Sequence, residues 1–83
     1  MKLTDLPNIG PVLAAQLERA GIATPEQLQE TGAEGAFLKI RATVKADACL
    51  HELEALAGAA EGVRKAALPP ERKAELKAWF RKL

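Results

Sequence analysis

Leu6-Pro7-Asn8-Ile9-Gly10-Pro11, continued by Leu13, Leu17 and Gly21-Ile22, decides how this chain begins to fold. Pro and Gly around a single Ile predict a tight turn, and Pro11 stands where a first helical residue has no hydrogen-bonded N–H to lose. Leu13 and Leu17 then recur at helical spacing with Ala14 beside them, until Gly21 offers the left-handed conformation that ends a helix. The pattern is a hairpin feeding a helix. Such a turn leaves the first amides of the helix without partners, and these attract anions such as DNA phosphate. The same residues also suit a plain corner between two helices.

Helices follow one another from there. Thr24-Pro25-Glu26-Gln27 reads as an N-cap, a Pro at the first helical position and a Gln at the third, a capping box that starts a short helix anchored by Leu28 and ending near Gly32. From Ala33 or Glu34 to about Val44, Phe37, Ile40 and Val44 fall at i, i+3 and i+7. Leu38 widens this stripe, and Lys39, Arg41 and Lys45 lie outside it. Asp47 is the expected N-cap of the next helix, in which Cys49, Leu53, Leu56, Ala57 and Ala60 form the apolar face before Gly62 closes it. Gly58 in mid-helix costs about 1 kcal/mol relative to Ala, so another helix backbone is expected to approach it closely. Pro69-Pro70 starts the last helix, with Leu76, Trp79, Phe80 and Leu83 at i, i+3, i+4 and i+7. The expectation is an all-α compact bundle of about five helices, one domain over residues 1–83, with an N-terminal helix-hairpin-helix-like element. Leu13, Leu17, Ile22, Leu28, Phe37, Ile40, Leu53, Leu56, Leu76, Trp79 and Phe80 are its expected core.

Composition bounds the function. A chain of 83 residues, 48% apolar and 28% charged, builds one small core and is too short to enclose a large catalytic cavity. No apolar run approaches the roughly 20 residues of a membrane span, and Met1-Lys2 opens no signal peptide, so the cytoplasm is the expected location. One Cys and one His supply neither an internal disulfide nor a zinc site. Cys49 and His51 point about 200° apart on one helix and cannot pair as nucleophile and base, so Cys49 reads as a small core residue and His51 as exposed or hydrogen-bonded. No phosphate-cradling Gly-rich loop, metal-ligand cluster or supported carboxylate pair appears. No enzyme, cofactor, metal or small-molecule substrate is expected.

Charge is uneven although the net charge is only +1. Residues 1–32 carry two cations against four acids, and residues 64–83 carry seven cations against Glu71 and Glu75. Lys73, Lys77 and Arg81 recur every fourth residue and form one basic stripe on the last helix. With the hairpin residues Asn8, Gly10 and Val12 they are the candidate DNA contacts, the amides of Gly10, Val12 and Leu13 pointing at phosphate. A neutral total predicts weak or shared binding rather than high autonomous affinity. Trp79, Phe80 and Leu83 beside that basic rim have the composition of a protein interface, and are the candidate docking residues.

The chain also resembles a known family. Leu6-Pro7-Asn8-Ile9-Gly10 with Leu13 and Leu17, then Ala20-Gly21-Ile22, Gln27-Leu28, Gly32-Ala33, Leu50-His51, Leu53-Glu54-Ala55-Leu56 and Gly58-Ala59 are similar to the C-terminal domain of the TfoX (Sxy) competence regulators. The resemblance covers nearly the whole chain. It implies an all-helical fold with a helix-hairpin-helix-like element, and a role in activating transcription of DNA-uptake genes alongside the cyclic-AMP receptor protein. Helix-hairpin-helix modules contact phosphate without reading sequence, and many carry Gly where this chain has Asn8. Full-length TfoX proteins place an α+β domain before this one, so the chain is expected to be a stand-alone relative or a piece of a longer protein. Where the family often has Trp after Arg at the end of the long helix, this chain has Arg64-Lys65, and Trp79 is the residue that would replace the volume.

The resulting expectation is a non-enzymatic regulatory or adaptor module related to TfoX, acting in bacterial transcription regulation or competence. Docking on a protein partner or on a second copy is placed slightly ahead of weak, sequence-independent contact with double-stranded DNA. No membrane partner is expected.

Overall fold

In the computed structural model, which describes residues 1–83, the chain forms four α-helices and no strand. They are α1 (Pro11–Arg19), α2 (Pro25–Thr43), α3 (Leu50–Glu61) and α4 (Pro70–Arg81), with short 3-10 turns at Leu3–Asp5 and Lys65–Ala67. The expected break near Gly32 is a kink inside α2, where Gly32 takes φ 79° and ψ 162°, so the bundle has four helices rather than about five. Ahead of the hairpin stands a single 3-10 turn in place of a full first helix.

Helices α1 and α3 end in the same device. In both, a Gly at positive φ (Gly21, 91°; Gly62, 76°) lets the next amide reach back to a carbonyl of the last turn. Ile22 donates to the Leu17 carbonyl and Val63 to that of Gly58, each at 2.8 Å. This is the Schellman arrangement, and Ile22 and Leu17, both buried, supply its apolar contact. The start of α2 follows its capping signal closely. Thr24 Oγ1 accepts from the Gln27 amide at 3.1 Å, while Gln27 Oε1 accepts from the Ala23 amide at 2.7 Å, one residue earlier than in a standard capping box.

One continuous cluster of buried apolar residues joins all four helices. Leu17, Ile22, Leu28, Phe37, Ile40, Leu53, Leu56 and Leu76 fill its centre, as expected. Leu13, Trp79 and Phe80 line its edge instead of lying inside it. Leu3, Ile9 and Leu68, from the segments outside the long helices, complete it.

The beginning of α3 differs from the expectation. Ala48, buried in the core, donates its amide to the Lys45 carbonyl, and this anchored turn delays the helix. Cys49, not Asp47, holds the N-cap position in extended geometry, and its carbonyl accepts from the amides of Glu52 and Leu53. The Cys49 side chain is therefore exposed rather than a core residue. Downstream, Ala59 rather than Ala60 is fully buried.

Candidate nucleic-acid interface

The hairpin is fastened to the rest of the molecule through one side chain. Asn8 sits at φ 69°, the only residue other than Gly with positive φ, a conformation Asn tolerates better than most side chains. Its Nδ2 donates to the carbonyls of Val63 (3.0 Å) and Ala55 (3.3 Å), and its Oδ1 accepts the Lys65 amide at 3.0 Å. Gly58 lies directly beneath. A Cβ there would stand 2.5 Å from Asn8 Nδ2 and 2.6 Å from the Val63 oxygen. The close neighbour of Gly58 is thus the hairpin side chain and the turn after its own helix, not a second helix backbone.

This fastening brings the turn that leads into α1 against a basic segment. Gly10 is the N-cap of α1, and the amides of Gly10, Val12 and Leu13 donate to no group of the chain. Next to the hairpin, across the Asn8–Lys65 bond, stand the exposed Arg64 and Lys65. Lys73 continues the track, its Nζ donating to the Ala66 carbonyl at 3.4 Å, and Lys77 and Arg81 follow at successive turns of α4. None of these five cations is in an ion pair. The structure therefore connects the two separate DNA candidates, the hairpin and the α4 stripe, through Arg64 and Lys65. No sequence pattern marks Arg64 and Lys65 as part of this surface, because the link depends on Asn8 reaching a residue 57 positions away.

Round α4 the aromatic candidates diverge, Phe80 bordering the basic stripe and Trp79 lying on the side away from it. Trp79 and Phe80 each stand edge-on to the buried Phe37 ring, at centroid distances of 6.1 and 5.9 Å. Arg41 covers Phe37 and Phe80 at 5.6 and 6.0 Å. Half-buried Trp79 thus forms a wall of the core, and Leu83, 53% exposed, extends the apolar edge beyond it. On the same side of α4 as Trp79, Arg72 ties the helix to its neighbours. Its guanidinium donates to both oxygens of Glu34 on α2, at 2.9 and 3.0 Å, and to Glu61 on α3 at 3.4 Å. The hydrogen bonds from Arg72 hold the Glu34 carboxyl below the usual carboxylate range. No group of three His, Cys, Asp or Glu side chains is arranged to hold a metal ion. No helix is long and apolar enough to cross a membrane.

The sequence matches the family model of the TfoX C-terminal domain over residues 1–80. The chain belongs to the TfoX C-terminal domain family. This is not a known enzyme family. The TfoX C-terminal domain described here is similar to an uncharacterised protein of Listeria monocytogenes in a triclinic crystal form. That match has TM-score 0.95 and 41% identity, and covers 99% of this chain and 92% of the other. A tetragonal crystal form of a Listeria monocytogenes protein of unknown function gives TM-score 0.92 and 42% identity, covering 96% of each chain. No curated protein matches the sequence.

Proposed function

We propose that this TfoX C-terminal domain is a non-enzymatic, cytoplasmic regulatory module of bacterial transcription or competence that touches the backbone of duplex DNA weakly and without reading sequence. The observation that carries the proposal is the track from the free amides of Gly10, Val12 and Leu13, past Arg64 and Lys65, to Lys73, Lys77 and Arg81. Unpaired amides and unpaired cations on one track suit a row of phosphates. Asn8 serves this surface as its fastener, since its side-chain donor and acceptor are used inside the chain. A net charge of +1 keeps the affinity low, which suits a module that works beside a partner.

Anisotropy titration with a duplex of arbitrary sequence, near 50 mM salt, tests this. Replacing Lys73, Lys77 and Arg81 together with Ala should reduce the slope of log affinity against log salt by up to about three. No binding to any duplex at that salt removes the proposal.

A second reading is docking of a protein partner or a second copy on the edge formed by Trp79, Phe80 and Leu83. The exposure of Leu83 beyond two half-buried aromatics favours it. Here Trp79→Ala should weaken self-association in sedimentation while helix content persists. A wild-type protein that stays monomeric and binds no partner in pull-downs rejects it.

A further inference from the structure

A groove with different chemistry runs along the outer face of α1. Pro11, Val12, Ala15 and Val44 supply its apolar wall, and its volume is about 480 Å³. Arg19 and Lys45 are the charged residues lining it, and neither is in an ion pair. Gln16, also in the lining, buries an Oε1 that accepts no hydrogen bond. Val12 is 73% exposed at a position where helix geometry does not require an apolar side chain.

We propose that this groove docks a short apolar segment of a partner protein that also carries acidic residues. Two features select that occupant. Val12, Ala15 and Val44 need apolar side chains against them, while two unpaired cations with no acid in the lining need negative charge. Shape decides between a peptide and a small ligand. Pro11, Ala15 and Arg19 fall on successive turns of α1 and span about 12 Å of an open channel. That form accommodates a helix or an extended strand of chain, whereas small-ligand sites enclose most of their occupant. The groove contains none of the α4 cations, but Val12 lines it while the Val12 amide belongs to the DNA reading, so the α4 substitutions are what separate the two.

Selection from a displayed library of short random peptides, with the Val12→Asp variant as counter-selection target, tests the idea. Asp near the start of α1 suits the helix dipole, so this variant should keep its helix content in circular dichroism. Recovered peptides should combine Leu, Ile, Val or Phe with Asp or Glu. Their affinity should fall about tenfold or more in Val12→Asp and in the Arg19→Glu, Lys45→Glu double variant. Replacing Lys73, Lys77 and Arg81 should leave it unchanged, which separates this site from DNA contact. No enrichment over an unrelated control protein, or peptides indifferent to the groove substitutions, overturns the proposal. Loss of duplex DNA binding in the Arg19→Glu, Lys45→Glu variant, with no peptide recovered, reassigns the groove to nucleic acid and also overturns it.

Discussion

The hairpin and α4 are both tied to α3, at opposite points of contrast in chemistry. At the hairpin, neutral hydrogen bonds from one Asn side chain converge above a residue with no Cβ, and the fit leaves no spare space. At α4, aromatic edges lean on Phe37 while Arg72 reaches acids on two other helices at partly exposed positions. A neutral, tightly fitted junction depends on the shape of single residues and ignores pH. An exposed ionic tether tolerates substitution and responds to acid and salt. The hairpin that precedes the α1 amides is therefore held by neutral hydrogen bonds, and the basic helix by apolar packing around Leu76 with an ion pair that responds to salt and acid.

Breaking the tight junction should produce the largest effect. Asn8→Ala removes the bonds to Val63, Ala55 and Lys65 and also places Ala in the left-handed region, which costs about 1–2 kcal/mol alone. With the lost hydrogen bonds the total should be about 2–4 kcal/mol in chemical denaturation. Asn8→Gly keeps the backbone conformation at ease and isolates the hydrogen-bond part, so it should cost about 1–2 kcal/mol. Equal losses in the two variants would show that backbone conformation contributes nothing at this corner. Gly at this position, as many helix-hairpin-helix turns have it, would then mark a hairpin fastened by other means.

Gly58→Ala probes the same contact from beneath. In an unconstrained helix this change gains about 1 kcal/mol. Here the added methyl meets the Val63 carbonyl as well as the Asn8 amide, and only the Asn8 side chain can swing away. Overpacking of this kind costs about 1–3 kcal/mol, so after the propensity gain the variant should be up to about 2 kcal/mol less stable. A stabilised variant would mean that the turn after α3 yields easily, and the contrast with α4 would fail.

Much of this architecture is legible in the sequence, because local devices write themselves in adjacent residues. Gly21 and Gly62 as helix stops, the Thr24 and Gln27 cap, and the kink at Gly32 each depend on a few neighbouring positions. Gly58 announced a close approach without saying to what. Its partner is Asn8, fifty positions earlier, and no periodicity carries that pairing. Cys49 misled for a related reason. Its spacing matches the apolar face of α3, but burial of Ala48 turns the chain and leaves Cys49 in the cap, outside the helical register. For the candidate site, the stripe of Lys73, Lys77 and Arg81 is plain from spacing alone. Its link to the hairpin through Arg64 and Lys65 exists only once Asn8 makes its long-range bond to Lys65 and Lys73 folds back to Ala66.

The smallest effect belongs to the ionic tether. Arg72 and Glu34 are each about one-third exposed or slightly less, so solvent screens their attraction, and Arg72→Ala should cost no more than about 1 kcal/mol at neutral pH. Its pH dependence has a definite sign. Because the Glu34 carboxyl titrates lower in the folded chain than in the unfolded one, its contribution is present above the unfolded value of about 4.3. It is lost as pH falls through the lower folded value. The stability gap between wild type and Arg72→Ala should therefore be constant at neutral pH and close in acid, and added salt should narrow it too. The gap between wild type and Asn8→Gly, which rests on uncharged groups, should persist over the same range. Denaturation curves for the three proteins at neutral and acid pH compare the two junctions directly. If the Asn8→Gly gap closed in acid while the Arg72→Ala gap did not, the assignment of neutral and ionic chemistry to the two ends would be reversed.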